Sequence, residues 1–229
     1  MELCILIPAK NEYLTISNTI DDLANKLSDI RVNFLVINDH SDDDTEFVLE
    51  SLTLKYSNFK FLNNQDSPGV GNAISYGLKH WEGDVVALCM ADGSDSYIDI
   101  LKSFSYIEND GFDCVFGSRF IKGGNVENYP AIKLILNRLF NNYVKFRSSY
   151  NYNDFTNIFK TYRRSAINEI VPIASANFSI GLEMSLKAYK KQLNILVIPI
   201  SWIQRSAGKS KLNLMKNFKY YMKTLKHIS

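Results

Sequence analysis

The most chemically pointed stretch of this 229-residue chain is "DVVALCMADGSDSY" (84–97). Val85 to Met90 carry no charge, and Asp92, Ser94 and Asp95 follow at once, with Gly93 between them. A run of this kind reads as a strand buried on both faces, as in a parallel sheet. Carboxylates and a hydroxyl at its end are the oxygen donors that Mg2+ or Mn2+ prefers, usually shared with substrate phosphates. Two other apolar runs stop in the same way. Residues 3–8 lead into "PAKNE" (8–12), with Pro8, Asn11 and Glu12, and residues 34–37 lead into "NDHSDDD" (38–44), with Asn38 and Asp39. In open parallel sheets ligands bind beyond the carboxyl ends of the strands, where loops and helix N-termini converge. Singly, each stop is a solvated loop with a helix cap; together they make a polar site for a ligand with hydroxyls, a base or a metal.

The segment "SPGVGNA" (67–73) brings Gly69 and Gly71 to the same region. They suit either a close approach to a ligand or a plain turn opening a helix. As a dinucleotide fingerprint the segment fails, because Ile74 holds the third glycine position. Cations come from the second half: Arg119 in "GSRF", Arg138 in "LNRLF", and Arg205, Lys209 and Lys211 in "QRSAGKSK" (204–211). Guanidinium and ammonium groups in such a loop suit a diphosphate; the alternative is a solvated basic loop. Arg163 and Arg164 are expected to face solvent.

The elements that must position these residues alternate. Strand-like runs at 3–8, 34–37, 59–62, 85–90 and 114–116 are separated by helical patterns at 15–27, 45–56, 71–81 and 98–108, which predicts an α/β fold with a largely parallel sheet. Ser41 with Asp44 predicts a capping box for the second helix. The rhythm then changes: a loop, an amphipathic helix at 131–146, a short segment at 155–162, helices near 165–171 and 181–191, a strand at 195–198 and a basic helix at the end. We read a single domain over 1–211, with 212–229 as a basic amphipathic helix.

Composition narrows the class. A net charge of +2 gives no reason to expect nucleic acid. Cys4, Cys89 and Cys114 lie in strand-like runs without metal-ligand spacing, which predicts reduced core thiols. "MELCILIPAKNE" has no basic stretch before its apolar run, and no run approaches the ~20 apolar residues of a membrane span. A cytoplasmic protein is expected, with possible contact to the membrane face.

Taken in order, "IPAKNE", "INDHSDD", "PGVGNAISYG", "MADGSD", "FGSRF", "NRLFN", "NDFTNIFKTYRR", "GLEM" and "QRSAGKSKL" resemble glycosyltransferase family 2. Within it, the chain looks most like the dolichol-phosphate mannose synthase and polyprenyl-phosphate glycosyltransferase branch. The resemblance implies a GT-A fold, Rossmann-like with a mostly parallel sheet. It also implies inverting transfer of a sugar from a nucleoside-diphosphate donor, assisted by Mg2+ or Mn2+. By position, Pro8, Asn11, Glu12, Asn38 and Asp39 would hold base and ribose, and Gly69 and Gly71 would lie nearby. Asp92, with Ser94 or Asp95, would hold the metal. Arg119, Arg138, Arg205, Lys209 and Lys211 would bind phosphates, with Asp92, Arg119 and Arg205 acting catalytically. Asp154 and Glu183 fall on positions assigned to acceptor positioning.

Two departures bear on the chemistry. Asn38 stands where the family often has the first of two aspartates, and its amide still hydrogen-bonds a base or ribose. Met90 replaces the first aspartate of Asp-x-Asp, and a thioether is a poor ligand for Mg2+. The acceptor is expected to be a polyprenyl phosphate or a cell-surface glycan. An anionic phosphate oxygen needs no strong base; a sugar hydroxyl would need one, with Asp95 and Glu183 as candidates. The final segment, "KSKLNLMKNFKYYMKTLKHIS", places Leu212, Met215, Phe218, Met222 and Leu225 at helical spacing between lysines. It reads as a peripheral membrane contact or as an ordinary helix packed on the core. Two other functions stay open: a nucleotidyltransferase, disfavoured because "PAKNEY" lacks glycines, and a non-catalytic nucleotide-sugar-binding protein, motivated by Met90.

Overall fold

The structure, a computed structural model, describes residues 1–127, 129–203 and 214–228. The first half alternates as β1 (Leu3–Ala9), α1 (Ile16–Lys26), β2 (Val32–Asn38), α2 (Thr45–Lys55), β3 (Phe59–Asn63), α3 (Val70–His80), β4 (Val85–Leu88), α4 (Tyr97–Asp110) and β5 (Cys114–Ser118). The second half adds β6 (Asn125–Glu127), α5 (Ala131–Ser148), β7 (Lys160–Arg163), α6 (Arg164–Ile170), α7 (Ile180–Lys190), β8 (Ile195–Pro199), β9 (Ser201–Ile203) and α8 (Leu214–Ile228).

A seven-stranded sheet runs in the order β3-β2-β1-β4-β7-β5-β8, and β7 alone is antiparallel to its neighbours. β6 and β9 form a separate two-stranded ribbon. All of β1 is buried, and its side chains alternate between two cores. Leu3, Ile5 and Ile7 pack with α1, α2 and α4, while Cys4 and Leu6 pack with α3, α6, α7 and α8. This is the doubly wound α/β arrangement, and it places β1 between β2 and β4 at the point where strand order reverses.

The run 85–90 pairs as a strand only to Leu88. The Met90 amide leaves the ladder and donates to Asp95 Oδ2 at 2.8 Å, which turns the chain toward Asp92. The capping box expected at Ser41 does not form. Its hydroxyl accepts from the Asn11 amide at 3.0 Å, and the first amide of α2, Thr45 N, donates to Asp43 instead. The three cysteines are buried and free, and burial pushes the Cys4 thiol up to about 12, so these are inert thiols at neutral pH.

Arg163 and Arg164 are half-buried braces, not solvent-facing residues. Arg163 donates to the Ile107 carbonyl, and Arg164 stacks 3.8 Å over the Trp81 ring and donates to the Gly83 carbonyl. The inner side of α8 packs against α7, with Leu225 and Ile228 buried and Thr224 bonded to Ser175. It is an integral helix of the body over its described length. Of the apolar stripe read for it, Leu212 lies outside the described residues.

Candidate active site

Beyond the carboxyl ends of β1, β2 and β4 opens a cleft of about 600 Å³. Pro8, Ala9, Lys10 and Glu12 enter it from the β1 loop, Asp39 from the end of β2, and Asp92, Ser94 and Asp95 from the β4 loop. Three polar strand ends therefore meet in one site, as parallel topology requires.

Asp39 is buried and oriented by donors: Asn64 Nδ2 at 2.8 Å and the Gly69 amide at 2.9 Å. Gly69 lines the cleft, but its sequence position is set by packing. A Cβ there would lie 2.2 Å from the Ala176 carbonyl oxygen, and one on Gly71 would lie 2.0 Å from that of Ser175. The amides of Gly71 and Asn72 donate to Ala176 O, so the start of α3 is closed by the 174–177 loop. Gly71 is not a cleft residue. Asn11 and Asn38 also stand back from the wall. Asn11, in the left-handed region at φ 50°, exchanges hydrogen bonds with Asp42 and ties the β1 and β2 loops together. Asn38 donates to Asn63 at 2.8 Å, linking β2 to β3.

The opposite wall holds Arg119, which is buried and gripped by Asp154. Nε donates to Oδ2 at 2.8 Å, a terminal nitrogen to Oδ1 at 2.7 Å, and the Arg119 amide to Oδ2 at 3.1 Å. Burial pulls the guanidinium pKa down, yet the Asp154 carboxylate outweighs it and holds Arg119 firmly charged. Asp154 itself is wholly buried and reaches the cleft through Arg119. Glu183 lies further back. It accepts from the Ala174 and Ser175 amides at 2.9 and 2.7 Å and pairs with Lys187, so it shapes the loop that closes on Gly69 and Gly71. Arg138 stacks 4.4 Å over Phe120, outside the cleft wall. Arg205, Lys209 and Lys211 lie outside the described residues.

Several cleft residues carried no signal in the sequence. Lys133 and Asn137 come from α5, Thr156 to Ile158 from the segment before β7, and Tyr129, Phe178, Trp202 and Tyr221 form an aromatic flank. Trp202 is brought in by an antiparallel bridge to Asp95 and by Asp99, which accepts from the Ser201 amide at 2.9 Å. An aromatic residue at a helix or strand end looks like core until the topology places it.

The donor set at the β4 loop fits a divalent cation. Asp92 and Asp95 offer carboxylates, and Ser94 Oγ is buried with no hydrogen-bond partner. Burial pushes the Asp95 carboxyl up to about 7, and the neighbouring Asp92 charge adds to the shift. Among the described residues no cluster of three or more His, Cys, Asp or Glu forms a complete metal cage, so phosphate and water would have to supply the remaining ligands.

A doubly wound sheet with an acidic cleft at its switch point, faced by a buried arginine, defines an α/β protein of the GT-A type. The chain belongs to the family Glycosyl transferase family 2, whose profile matches residues 4–171. Among its relatives, the dolichol-phosphate mannosyltransferase of Pyrococcus furiosus is 27% identical over 230 positions, covering 100% of this chain and 63% of that protein. The polyprenol monophosphomannose synthase of Mycolicibacterium smegmatis is 25% identical over 190 positions, 80% of this chain and 71% of the relative. The chain thus spans about two thirds of the length of these relatives. The glucosyl-3-phosphoglycerate synthase of Mycobacterium tuberculosis, solved with Mn2+, UDP and glucosyl-3-phosphoglycerate, shares the fold with a TM-score of 0.72 at 16% identity, over 98% of this chain and 78% of that one.

Proposed function

We propose that the chain transfers a sugar from a nucleoside-diphosphate sugar to a polyprenyl phosphate, with inversion at the anomeric carbon. The observation that carries this reading is the convergence of Asp39, Asp92 and Asp95 on one cleft with Arg119 and Lys10. Pro8, Glu12 and Asp39 hold base and ribose. Asp92, Asp95 and Ser94 hold Mg2+ or Mn2+, which when bound neutralises charge on the departing diphosphate. Arg119, fixed in place by Asp154, and Lys10 face the same phosphates and stabilise the charge that grows on them.

The acceptor phosphate oxygen attacks the anomeric carbon from the face opposite the leaving group. A carbon–oxygen bond to the acceptor forms as the bond to the donor diphosphate breaks, and no proton need move. That removes the need for a strong base, which suits a site where Glu183 is ion-paired behind the wall and Asp95 is held by the Met90 amide. A cell-surface glycan acceptor would need Asp95 as its base. The likeness to a dolichol-phosphate mannosyltransferase and to a polyprenol monophosphomannose synthase supports the lipid phosphate.

No helix among the described residues is long and apolar enough to cross a membrane. A lipid acceptor would bring the cleft to a membrane surface, and the reading places it on the cytoplasmic face. The exposed Lys219, Lys223 and Lys226 of α8 suit peripheral contact there.

A thermal-shift panel of nucleotide sugars, with and without Mn2+, tests the donor site. A true donor raises the melting temperature in the presence of the ion, by an amount equivalent to about 2.7 kcal/mol at one hundred times its Kd. Binding followed by no turnover on any isoprenyl phosphate would favour the second reading, a nucleotide-sugar-binding protein in which Met90 has ended catalysis.

A further inference from the structure

β7 opens on a titratable side chain that the proposed chemistry leaves unused. Lys160 is fully buried in the middle of the sheet, level with Leu88 of β4 and Phe116 of β5. Its Nζ lies 5.6 Å from the ring centres of Phe116 and Tyr152. No carboxylate among the described residues forms an ion pair with it. Burial of an amine is costly unless hydrogen bonds offset it. Here Nζ donates to the Phe155 carbonyl at 3.4 Å and to the Asn157 carbonyl. An ammonium has three N–H donors and the neutral amine two, so both carbonyls are served in either state.

Both carbonyls belong to the turn at 154–158, in which the Asn157 amide donates to the Asp154 carbonyl at 3.1 Å. One side of this turn is part of the cleft. Thr156, Asn157 and Ile158 line it, and Thr156 Oγ1 accepts from Asn137 and Asn141 of α5 at 3.0 and 3.1 Å. The first residue of the turn is Asp154, whose carboxylate grips Arg119. The other side faces inward. A Cβ on Gly181 would lie 2.7 Å from the Asn157 carbonyl oxygen, so the start of α7 closes over that atom. An enclosed carbonyl needs a donor. Without Lys160 the turn would have to rotate these oxygens toward water, and the side chains on its cleft side would move with them.

We propose that Lys160 is a positioning residue for the diphosphate end of the cleft. By clamping the Phe155 and Asn157 carbonyls inward it fixes the cleft-lining turn and the Asp154 carboxylate that aims Arg119. On the proposed activity, on which this role rests, the clamp sets affinity for the donor's diphosphate. It leaves the metal site alone, because Asp92 and Ser94 stand on the separate β4 loop.

The test uses the full chain, with inorganic pyrophosphate and Mn2+ as a probe that needs no knowledge of base or sugar. Lys160→Met keeps the length of the side chain and removes its donors. Amide exchange in a peptide covering 154–159 is expected to speed up about tenfold or more in this variant, with peptides of β1 and α2 unchanged. Calorimetric titration is expected to show pyrophosphate affinity lowered about tenfold or more, while Mn2+ affinity, read by electron paramagnetic resonance, stays native. Lys160→Arg, which keeps charge and donors, recovers both readouts in large part. Lys160→Gln, which keeps an N–H donor, falls between native and Lys160→Met and serves if the latter does not fold. Leu52→Ala, buried on α2 away from the turn, is the destabilised control and binds pyrophosphate as native. Native exchange at 154–159 in the Met and Gln variants would overturn the proposal. So would faster exchange with native pyrophosphate affinity, or an equal loss of affinity in Leu52→Ala. Failure of native protein to bind pyrophosphate with Mn2+ would sink the donor reading instead, and the exchange result would then decide the clamp by itself.

Discussion

The Asp154→Asn substitution examines how the cleft holds its arginine. The Arg119 side chain is 7% exposed and that of Asp154 0%, and the carboxylate takes three hydrogen bonds from Arg119. An amide of the same shape leaves a buried guanidinium with half its acceptor capacity and without its paired carboxylate. Breaking a buried pair in this way costs about 3–5 kcal/mol, a large part of the ~5–15 kcal/mol that keeps a domain folded. For a chain of this size that corresponds to a fall of about 6–20 °C in melting temperature. Replacing both partners by apolar groups, Arg119→Met/Asp154→Leu, removes the uncompensated charge and is expected to recover most of the loss. The recovery stays incomplete, because the Arg119 amide still lacks its acceptor. Urea denaturation of the single and double variants gives stability, and titration with the donor found in the thermal-shift panel gives affinity. The double variant should regain stability and still bind donor poorly, since its cation is gone. If Asp154→Asn melts within ~2 °C of native, or if the double variant is less stable than the single, the buried-pair reasoning is refuted.

Three further outcomes are expected. Asp92→Asn should leave the melting temperature unchanged, weaken Mn2+ binding as read by electron paramagnetic resonance, and lower turnover by about 100-fold or more. Lys160 is fully buried, and its Nζ donates to the Phe155 and Asn157 carbonyls; burial lowers its pKa to about 7, against about 10.4 in the unfolded chain. The unfolded state therefore binds more protons between those values and stability rises with pH across that window, so urea midpoints at pH 7 and pH 9 should differ less in Lys160→Met than in native protein. Gly71→Ala would place a methyl 2.0 Å from the Ser175 carbonyl oxygen and 2.7 Å from the Ala176 carbonyl carbon. Backbone must move to admit it, at a cost of about 2 kcal/mol or more in urea denaturation.

Much of the site was legible because parallel topology is legible. Apolar runs that stop at polar residues mark strand ends, and strand ends in such sheets share one edge, so Pro8, Glu12, Asp39, Asp92 and Asp95 could be grouped before any fold was seen. Asn11 and Asn38 sit among those residues and have the same chemistry, yet their side chains face Asp42 and Asn63; which way a loop residue turns is set by its neighbours' hydrogen bonds, and those are not local in sequence. Resemblance assigns Glu183 and Asp154 to acceptor positioning, and their side chains lie behind the cleft wall, one bonded to the Ser175 amide and the other to Arg119. Trp202 and Tyr221 were missed because the contacts that deliver them, such as the Trp202 bridge to Asp95, join residues far apart in the chain. β7 was read as a short segment, since an antiparallel strand inserted between β4 and β5 leaves no alternation to follow. The helix at 131–146 was recognised as amphipathic, but periodicity is blind to which of its faces the body covers.

Incubation of the full chain with a nucleotide sugar, Mn2+ and a short-chain isoprenyl phosphate, read by mass spectrometry, measures the central claim directly. The account predicts a glycosyl phosphoryl isoprenoid that forms with native protein and falls to background with Asp92→Asn. A donor that binds in the cleft yet yields no such product, or a product formed equally well by Asp92→Asn, would contradict it.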